Sequence, residues 1–235
     1  RLLGEADVVV YAGSLINPEL LELTRPGCSL YNSAKMTLEE VLSILQQAER
    51  EGKTAVRLHT GDPCLYGAIR EQMDALDALG IPWAVCPGVS SFCGAAAALG
   101  AEYTLPGVSQ SVIITRMAGR TPVPERESIA ALAAHGSTMV VFLSAGLLEG
   151  LQAQLMEGGY APDTPAAIVY KATWPEEKVL RCQVSSLAKT AQENGVDRTA
   201  LILVGRFLEG SYDRSRLYDP TFTTGYRQGK DGAEA

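Results

Sequence analysis

Two histidines, five cysteines and few aromatic rings are all that this chain offers to several specialised chemistries, and each shortage removes a class of function. Cys28, Cys64, Cys86, Cys93 and Cys182 show no C-x-x-C spacing, and with only His59 and His135 beside them no metal-ligand cluster can be read. Five is also an odd number, so reduced, packed thiols of a cytosolic protein are the expectation. No apolar run approaches the ~20 residues that a membrane span needs, and no signal peptide is visible. Basic residues number 20 against 27 acidic ones, a formal net charge of −7, which argues against nucleic acid as a partner. No G-x-G-x-x-G follows a strand pattern, so a dinucleotide dehydrogenase is disfavoured. Aromatics make up only 6% of the chain, so Ala, Val, Leu and Ile must do most of the packing.

What the chain does contain is centred on 54–67, Thr-Ala-Val-Arg-Leu-His-Thr-Gly-Asp-Pro-Cys-Leu-Tyr-Gly. An apolar-rich run over 54–58 stops at Thr60-Gly61-Asp62-Pro63, and a helical pattern follows with Ile69, Met73, Leu76 and Leu79 on one face. Strand, tight turn and helix make half of a βαβ unit, with the turn at the strand end where open α/β sheets bind ligands. A phosphate-holding loop would carry a lysine, and this turn carries Asp62 instead. A carboxylate there repels phosphate. It can accept hydrogen bonds from a ribose, pair with a cation, or simply cap the next helix, and the residues alone leave these open.

Along the chain, 8–11 reads as a strand and Asn17-Pro18-Glu19 opens a short helix stopped by Pro26-Gly27. Thr37 and Glu40 form a capping box ahead of a helix over 37–47 with Leu38, Val41, Leu42 and Leu45 as its apolar stripe. A strand over 82–86, the turn Pro87-Gly88 and a small-residue helix over 90–99 come next. Strands alternating with helices imply a parallel sheet covered on both faces. A second α/β series starts at Val112, with strands expected over 112–114, 138–143, 166–170, 179–182 and 200–204. Trp174-Pro175-Glu176-Glu177 lies between two of these, a short connection that suits a hairpin and makes the second sheet mixed. The expected domains are 1–107 and 111–210, with a polar tail over 211–235 whose last stretch, 229–235, is expected to be disordered.

The segment from Arg57 to Gly67 resembles the glycine-aspartate-proline loop of the tetrapyrrole (corrin/porphyrin) methylases, and Pro87-Gly88-Val89-Ser90-Ser91 is similar to the family's proline-glycine turn. Three further stretches, Val10-Tyr11-Ala12-Gly13-Ser14-Leu15, Thr115-Arg116-Met117-Ala118-Gly119-Arg120-Thr121-Pro122 and Leu217-Tyr218-Asp219-Pro220-Thr221-Phe222-Thr223, resemble the branch that methylates C11 of precorrin-4. The resemblance covers nearly the whole chain. It implies two α/β domains with a ligand cleft between them and a first strand that related chains carry ahead of Arg1. It also implies S-adenosylmethionine as methyl donor, a tetrapyrrole substrate, a cytoplasmic homodimer, and neither nucleic acid nor membrane as partner. A sister activity on another ring carbon, such as that of uroporphyrinogen-III methyltransferase, and a non-catalytic binding module are the alternatives.

Carried over by motif, Thr60, Gly61, Asp62 and Leu65 of the first loop and Ser90 and Ser91 of the second are expected to touch the cofactor. Ala145, after the strongest second-domain strand, and Ala172, after Val169-Tyr170-Lys171, match two further contact regions, for which plain packing is the competing reading. If the substrate is a polycarboxylate, basic side chains must gather locally against the overall negative charge. Arg116 and Arg120 flank one loop and are expected to grip carboxylates, where a guanidinium forms bidentate pairs. Lys171 and Arg57 rank behind them as candidates of the same kind. His59 reads as a core histidine rather than a base. No catalytic residue is assigned, because a sulfonium is an activated methyl donor and alignment can supply much of the rate.

Overall fold

The computed structural model describes residues 1–230, and the chain forms two compact units, Arg1–Gly94 and the part from Ala95 onward. The first unit runs α1 (Leu2–Glu5), β1 (Val8–Tyr11), β2 (Ser29–Asn32), α2 (Leu38–Arg50), β3 (Ala55–Leu58) and α3 (Arg70–Ala78). Its three strands are all parallel in the order β2-β1-β3. The centre of that sheet is Val8-Val9-Val10, β-branched and buried. The capping box is present: Glu40 N donates to Thr37 Oγ1 at 3.3 Å and Thr37 N to Glu40 Oε2 at 2.7 Å. It starts α2 so that Val41, Leu45 and Ala48 pack with Val8, Val10 and Leu76.

Three local expectations change. Residues 82–86 form no strand; they run extended and exposed. A ladder needs a neighbour within about 4.8 Å, and among the described residues β3 is the edge of its sheet and nothing pairs with 82–86. The helix after the first loop starts at Arg70 with Ile69 as its N-cap, because Tyr66 and Ala68 adopt left-handed φ of +58° and +49° that no helix tolerates. The strand β2 had no visible signal, being four residues long and exposed throughout.

Helix α4 (Ser91–Leu99) leads into β4 (Val112–Arg116), α5 (Ile129–Ala133), β5 (Thr138–Phe142), α6 (Leu148–Glu157), β6 (Pro165–Tyr170), β7 (Lys178–Gln183), α7 (Leu187–Glu193) and β8 (Ala200–Val204). The five-stranded sheet has the order β4-β5-β8-β6-β7. Strands β4 and β5 are parallel, β8 is antiparallel to both β5 and β6, and β6–β7 is the expected hairpin. The sheet is therefore mixed, and both units are α/β, as the pattern implied. Met139, Val140, Val141, Ile168, Ile202 and Leu203 fill its middle with no exposure, and Met139, Val141, Ile168 and Ile202 are covered by Ile129, Leu151, Leu155 and Leu187 from the helices. Since β4, β5 and β6 share one direction, the loops that follow them emerge at one end of this sheet.

The tail is tied to itself. Arg227 Nη2 donates to the carbonyls of Leu217 and Phe222, Gly229 N to Thr223 Oγ1 at 2.9 Å, and Lys230 N to Pro220 O at 2.8 Å. Disorder was expected from 229, and these two bonds order 229 and 230; residues 231–235 lie outside the described residues. Among the described residues, no helix is long and apolar enough to cross a membrane.

Candidate active site

In the first unit the two loops cross backbone to backbone. Gly61 has φ of +61°, and a Cβ there would meet Ser91 N at 3.2 Å and Ser90 Cα at 3.3 Å. A Cβ on Gly88 would lie 2.1 Å from Gly61 O. Only glycines permit that approach. Asp62 locks it: Oδ1 accepts from Cys64 N and Oδ2 from Gly88 N, both at 2.9 Å. The Cys64 thiol and then the Cys64 and Gly88 amides hold the Asp62 carboxyl below its ordinary range, so it is an anion at neutral pH. It does not cap α3, which starts eight residues later. Thr60, Gly61, Asp62, Leu65, Ser90 and Ser91 are thus brought together, with Ser90 buried and Thr60 and Gly61 exposed.

Beneath this junction, β3 carries Arg57 and leads into His59. Arg57 donates to Val10 O at 3.0 Å and to Gln72 Oε1 at 3.3 Å, so its guanidinium is spent inside the unit. His59 Nε2 is buried without a hydrogen-bond partner. Burial, with the Arg57 charge adding to it, pushes the imidazole down to about 4. A half-buried ring that is neutral throughout the physiological range, with its Nε2 enclosed, fits the packing role and not that of a base.

In the second unit the loops after β4, β5 and β6 carry the other expected residues. Arg116 donates to the carbonyls of Met117 at 3.3 Å, Thr121 at 3.2 Å and Pro122 at 2.7 Å. Arg120 is exposed, with no hydrogen bond or ion pair among the described residues. Ala145 is buried and follows Ser144, a fully enclosed serine that the sequence reading passed over. Its hydroxyl accepts from Met117 N at 2.9 Å and donates to Phe142 O at 2.7 Å, tying the end of β4 to the end of β5. Ala172 is half-buried between Lys171 and Thr173, both left-handed at φ of +46° and +71°. The Lys171 ammonium lies 3.1 Å from Glu176 Oε1 and 4.7 Å from the centre of the Trp174 ring. The hydrogen bond to Glu176 holds its pKa above the ordinary lysine value, and the Trp174 ring packs against it.

Backbone strain marks the same loops. Six described non-glycine residues adopt left-handed φ, and five of them (Tyr66, Ala68, Leu143, Lys171 and Thr173) sit in the loops nominated for ligand contact. The sixth, Thr199, accepts the Lys171 N–H at 2.9 Å. Strain of this kind collects where a backbone is shaped for a task other than stability. Among the described residues no group of His, Cys, Asp and Glu could hold a metal ion. Unit by unit, the nominated loops of the first offer backbone donors and acceptors with small side chains, and those of the second carry small side chains and one free guanidinium among the nominated basic residues. Each set can bind and orient, and neither carries an evident nucleophile or base.

Comparison with known proteins agrees with this chemistry. The chain is 48% identical over 229 residues to the cobalt-precorrin-4 C(11)-methyltransferase of Methanocaldococcus jannaschii, covering 97% of this chain and 88% of that protein. It resembles the crystal structure of a cobalt-precorrin-4 methyltransferase, a cobalamin biosynthetic enzyme, with a TM-score of 0.86 and 45% identity over 88% of this chain and 87% of that one. The uroporphyrin-III C-methyltransferase of Thermus thermophilus, solved with S-adenosylhomocysteine, matches with a TM-score of 0.74 and 26% identity over 88% of this chain and 89% of that one. The model of the tetrapyrrole (corrin/porphyrin) methylases matches residues 1–188, and the chain belongs to that family.

Proposed function

We propose that this chain transfers a methyl group from S-adenosylmethionine to C11 of precorrin-4 or cobalt-precorrin-4 in cobalamin biosynthesis. The observation that carries the reading is the Asp62 lock between two glycine turns, in a chain that matches the C11-methylating enzymes over nearly its full length. When bound, S-adenosylmethionine supplies a sulfonium methyl that an electron-rich ring carbon can take without further activation of the donor. The work left to the protein is alignment and exclusion of water. Thr60, Gly61, Leu65, Ser90 and Ser91 are the proposed cofactor contacts in the first unit, with Asp62 holding their loops in register. Ala145 and Ala172 contribute small side chains and backbone from strained turns. Arg120 is the proposed grip on a substrate carboxylate; Arg116 and Lys171 support the loops around it. Closer similarity to the C11 enzymes than to the uroporphyrin-III enzyme favours this ring position.

The enzyme is proposed to act in the cytoplasm as a homodimer, consistent with five unpaired cysteines and with exposed Leu217, Tyr218 and Tyr226 on the tail. The proposed domains are 1–107 and 111–210, whereas the compact units of the fold divide between Gly94 and Ala95. Titration of S-adenosylhomocysteine into the wild type and Asp62→Ala, followed by methyl transfer to precorrin-4, tests the proposal. Binding that weakens at least tenfold in the variant, together with turnover by the wild type, is expected. Wild-type protein that binds the cofactor product but methylates no tetrapyrrole would reduce the chain to a binding module.

A further inference from the structure

The loop after β4 contains two arginines with opposite circumstances. Arg116 spreads its guanidinium over three carbonyls, those of Met117, Thr121 and Pro122, which bracket the loop on both sides of Arg120. Gly119 N donates to Thr121 O at 3.2 Å, which closes the turn, and Ser144 Oγ holds Met117 N from below. That leaves Arg120 at the tip of the turn, exposed and with its side chain unpaired among the described residues. Neither guanidinium has a carboxylate partner among the described residues, although the chain as a whole carries a net charge of −7. Carbonyls satisfy Arg116 as a donor without cancelling its charge. The loop therefore presents two uncompensated positive charges, one fixed in the frame and one free at the tip.

We infer that Arg116 is a positioning residue: it shapes the loop so that Arg120 meets a carboxylate side arm of the substrate. This rests on the reading of the site as a tetrapyrrole methyltransferase. A planar guanidinium is suited to the role, because its five N–H groups fan outward and can serve three carbonyls at once, whereas an ammonium is a compact point charge. A side chain without that fan releases the two ends of the loop, and the tip then pays the entropy of ordering itself around each substrate.

The test is a mutant cycle on the full chain with Arg120→Gln, Arg116→Gln, the double variant and Arg116→Lys. It reads KM for precorrin-4, kcat, and the affinity for S-adenosylhomocysteine by calorimetry. Loss of a charged carboxylate contact in Arg120→Gln is expected to raise KM ~10-fold or more. Arg116→Gln should raise KM by a similar order, with kcat and cofactor-product affinity held within about twofold of the wild type. In the Arg120→Gln background, removal of Arg116 should add less than about twofold, since it acts through Arg120. Arg116→Lys keeps the charge and loses the fan, so it should behave as Arg116→Gln does. Restoration of the wild-type KM by Arg116→Lys would overturn the inference in favour of a plain charge effect, as would multiplicative effects in the double variant. An unchanged KM in Arg116→Gln would overturn it as well. Wild-type protein without turnover on any tetrapyrrole would fail at an earlier arm, overturning the functional reading and the inference built on it.

Discussion

Gly88→Ala puts the crossing of the two cofactor loops to the hardest test. The added methyl would stand 2.1 Å from Gly61 O and 3.0 Å from Gly61 C, both backbone atoms that no rotamer change can move. To reach an ordinary contact the loops must part by roughly 1 Å, because close-packed atoms do not yield that distance locally. The Gly88 N to Asp62 Oδ2 bond, now 2.9 Å, would then stretch past the ~3.2 Å limit of a sound N–H···O bond. Overpacking of this kind costs about 1–3 kcal/mol, and in a chain of this size each kcal/mol lowers Tm by ~2–4 °C. A fall of about 2–12 °C is therefore expected by calorimetric scanning. Misplacement by about 1 Å at a site that works by alignment can cost on the order of 10²-fold in turnover. Methyl transfer to precorrin-4 should drop by that order, and S-adenosylhomocysteine should bind at least tenfold more weakly. Gly225→Ala is the control: nothing lies within 4 Å of a Cβ there, so wild-type values are expected. If Gly88→Ala kept both the Tm and the affinity of the wild type, the close approach would not be what shapes the site.

Two further outcomes follow from particular residues. The folded pKa of His59, about 4, lies below the unfolded value of 6.5, so between those values the unfolded chain binds a proton that the folded chain refuses. Stability is complete above pH 6.5 and falls as pH drops towards 4; with the ring only half buried, the loss is on the order of 1 kcal/mol. Urea unfolding at pH 7.5 and 4.5 should show a smaller difference in His59→Gln than in the wild type, and an equal difference would contradict the assignment. Thr37→Ala removes one arm of the α2 capping box and should cost about 1 kcal/mol, seen as a Tm lower by ~2–4 °C with cofactor-product affinity unchanged. A loss of affinity there would show that α2 supports the loops more directly than its position suggests.

The parts of the fold that could be read in advance are those governed by local rules. Thr37 and Glu40 announce α2 because a capping box needs only two residues at fixed spacing, and the structure contains both of its bonds. The hairpin β6–β7 was legible from the short connection around Trp174–Glu177, since no crossover fits in the seven residues between Tyr170 and Lys178. Residues 82–86 read as a strand because they are apolar, and apolar composition says nothing about whether a neighbour is there to pair with. Strand β2 escaped notice for the converse reason: Ser29–Asn32 lacks alternation and is a strand only because β1 runs beside it. In the site, Asp62 was picked out by chemistry, but its partner could not be, because Gly88 lies 26 positions away and contributes only a backbone amide. Ser144 was hidden in the same way. A serine hydroxyl that joins two strand ends looks in sequence like any other serine.

The basic residues illustrate what structure adds beyond motif. Arg116 and Arg120, and behind them Lys171 and Arg57, are candidates of one kind, since sequence records a charge and not whether it is spent; in the order Arg57, Arg116, Arg120, Lys171 the structure divides them. The first is occupied by Val10 O and Gln72, the second by three carbonyls, and the fourth by Glu176 and Trp174. Only Arg120 has its donors free among the described residues. For a chain of net charge −7 this division has a physical logic. A polycarboxylate approaching an acidic protein is repelled at long range, so the charges that admit it must be local and uncompensated. A guanidinium paired with a carboxylate would lose that property, while one satisfied by carbonyls retains it. Arg116 and Arg120 thus raise the local potential together, although only one of them has hydrogen bonds left to give. Raising the ionic strength should therefore lower KM by relieving the overall repulsion at long range and raise it by screening the local positive charge, and in Arg120→Gln the second response should be weaker. A salt dependence identical in the wild type and Arg120→Gln would place the substrate's carboxylates elsewhere.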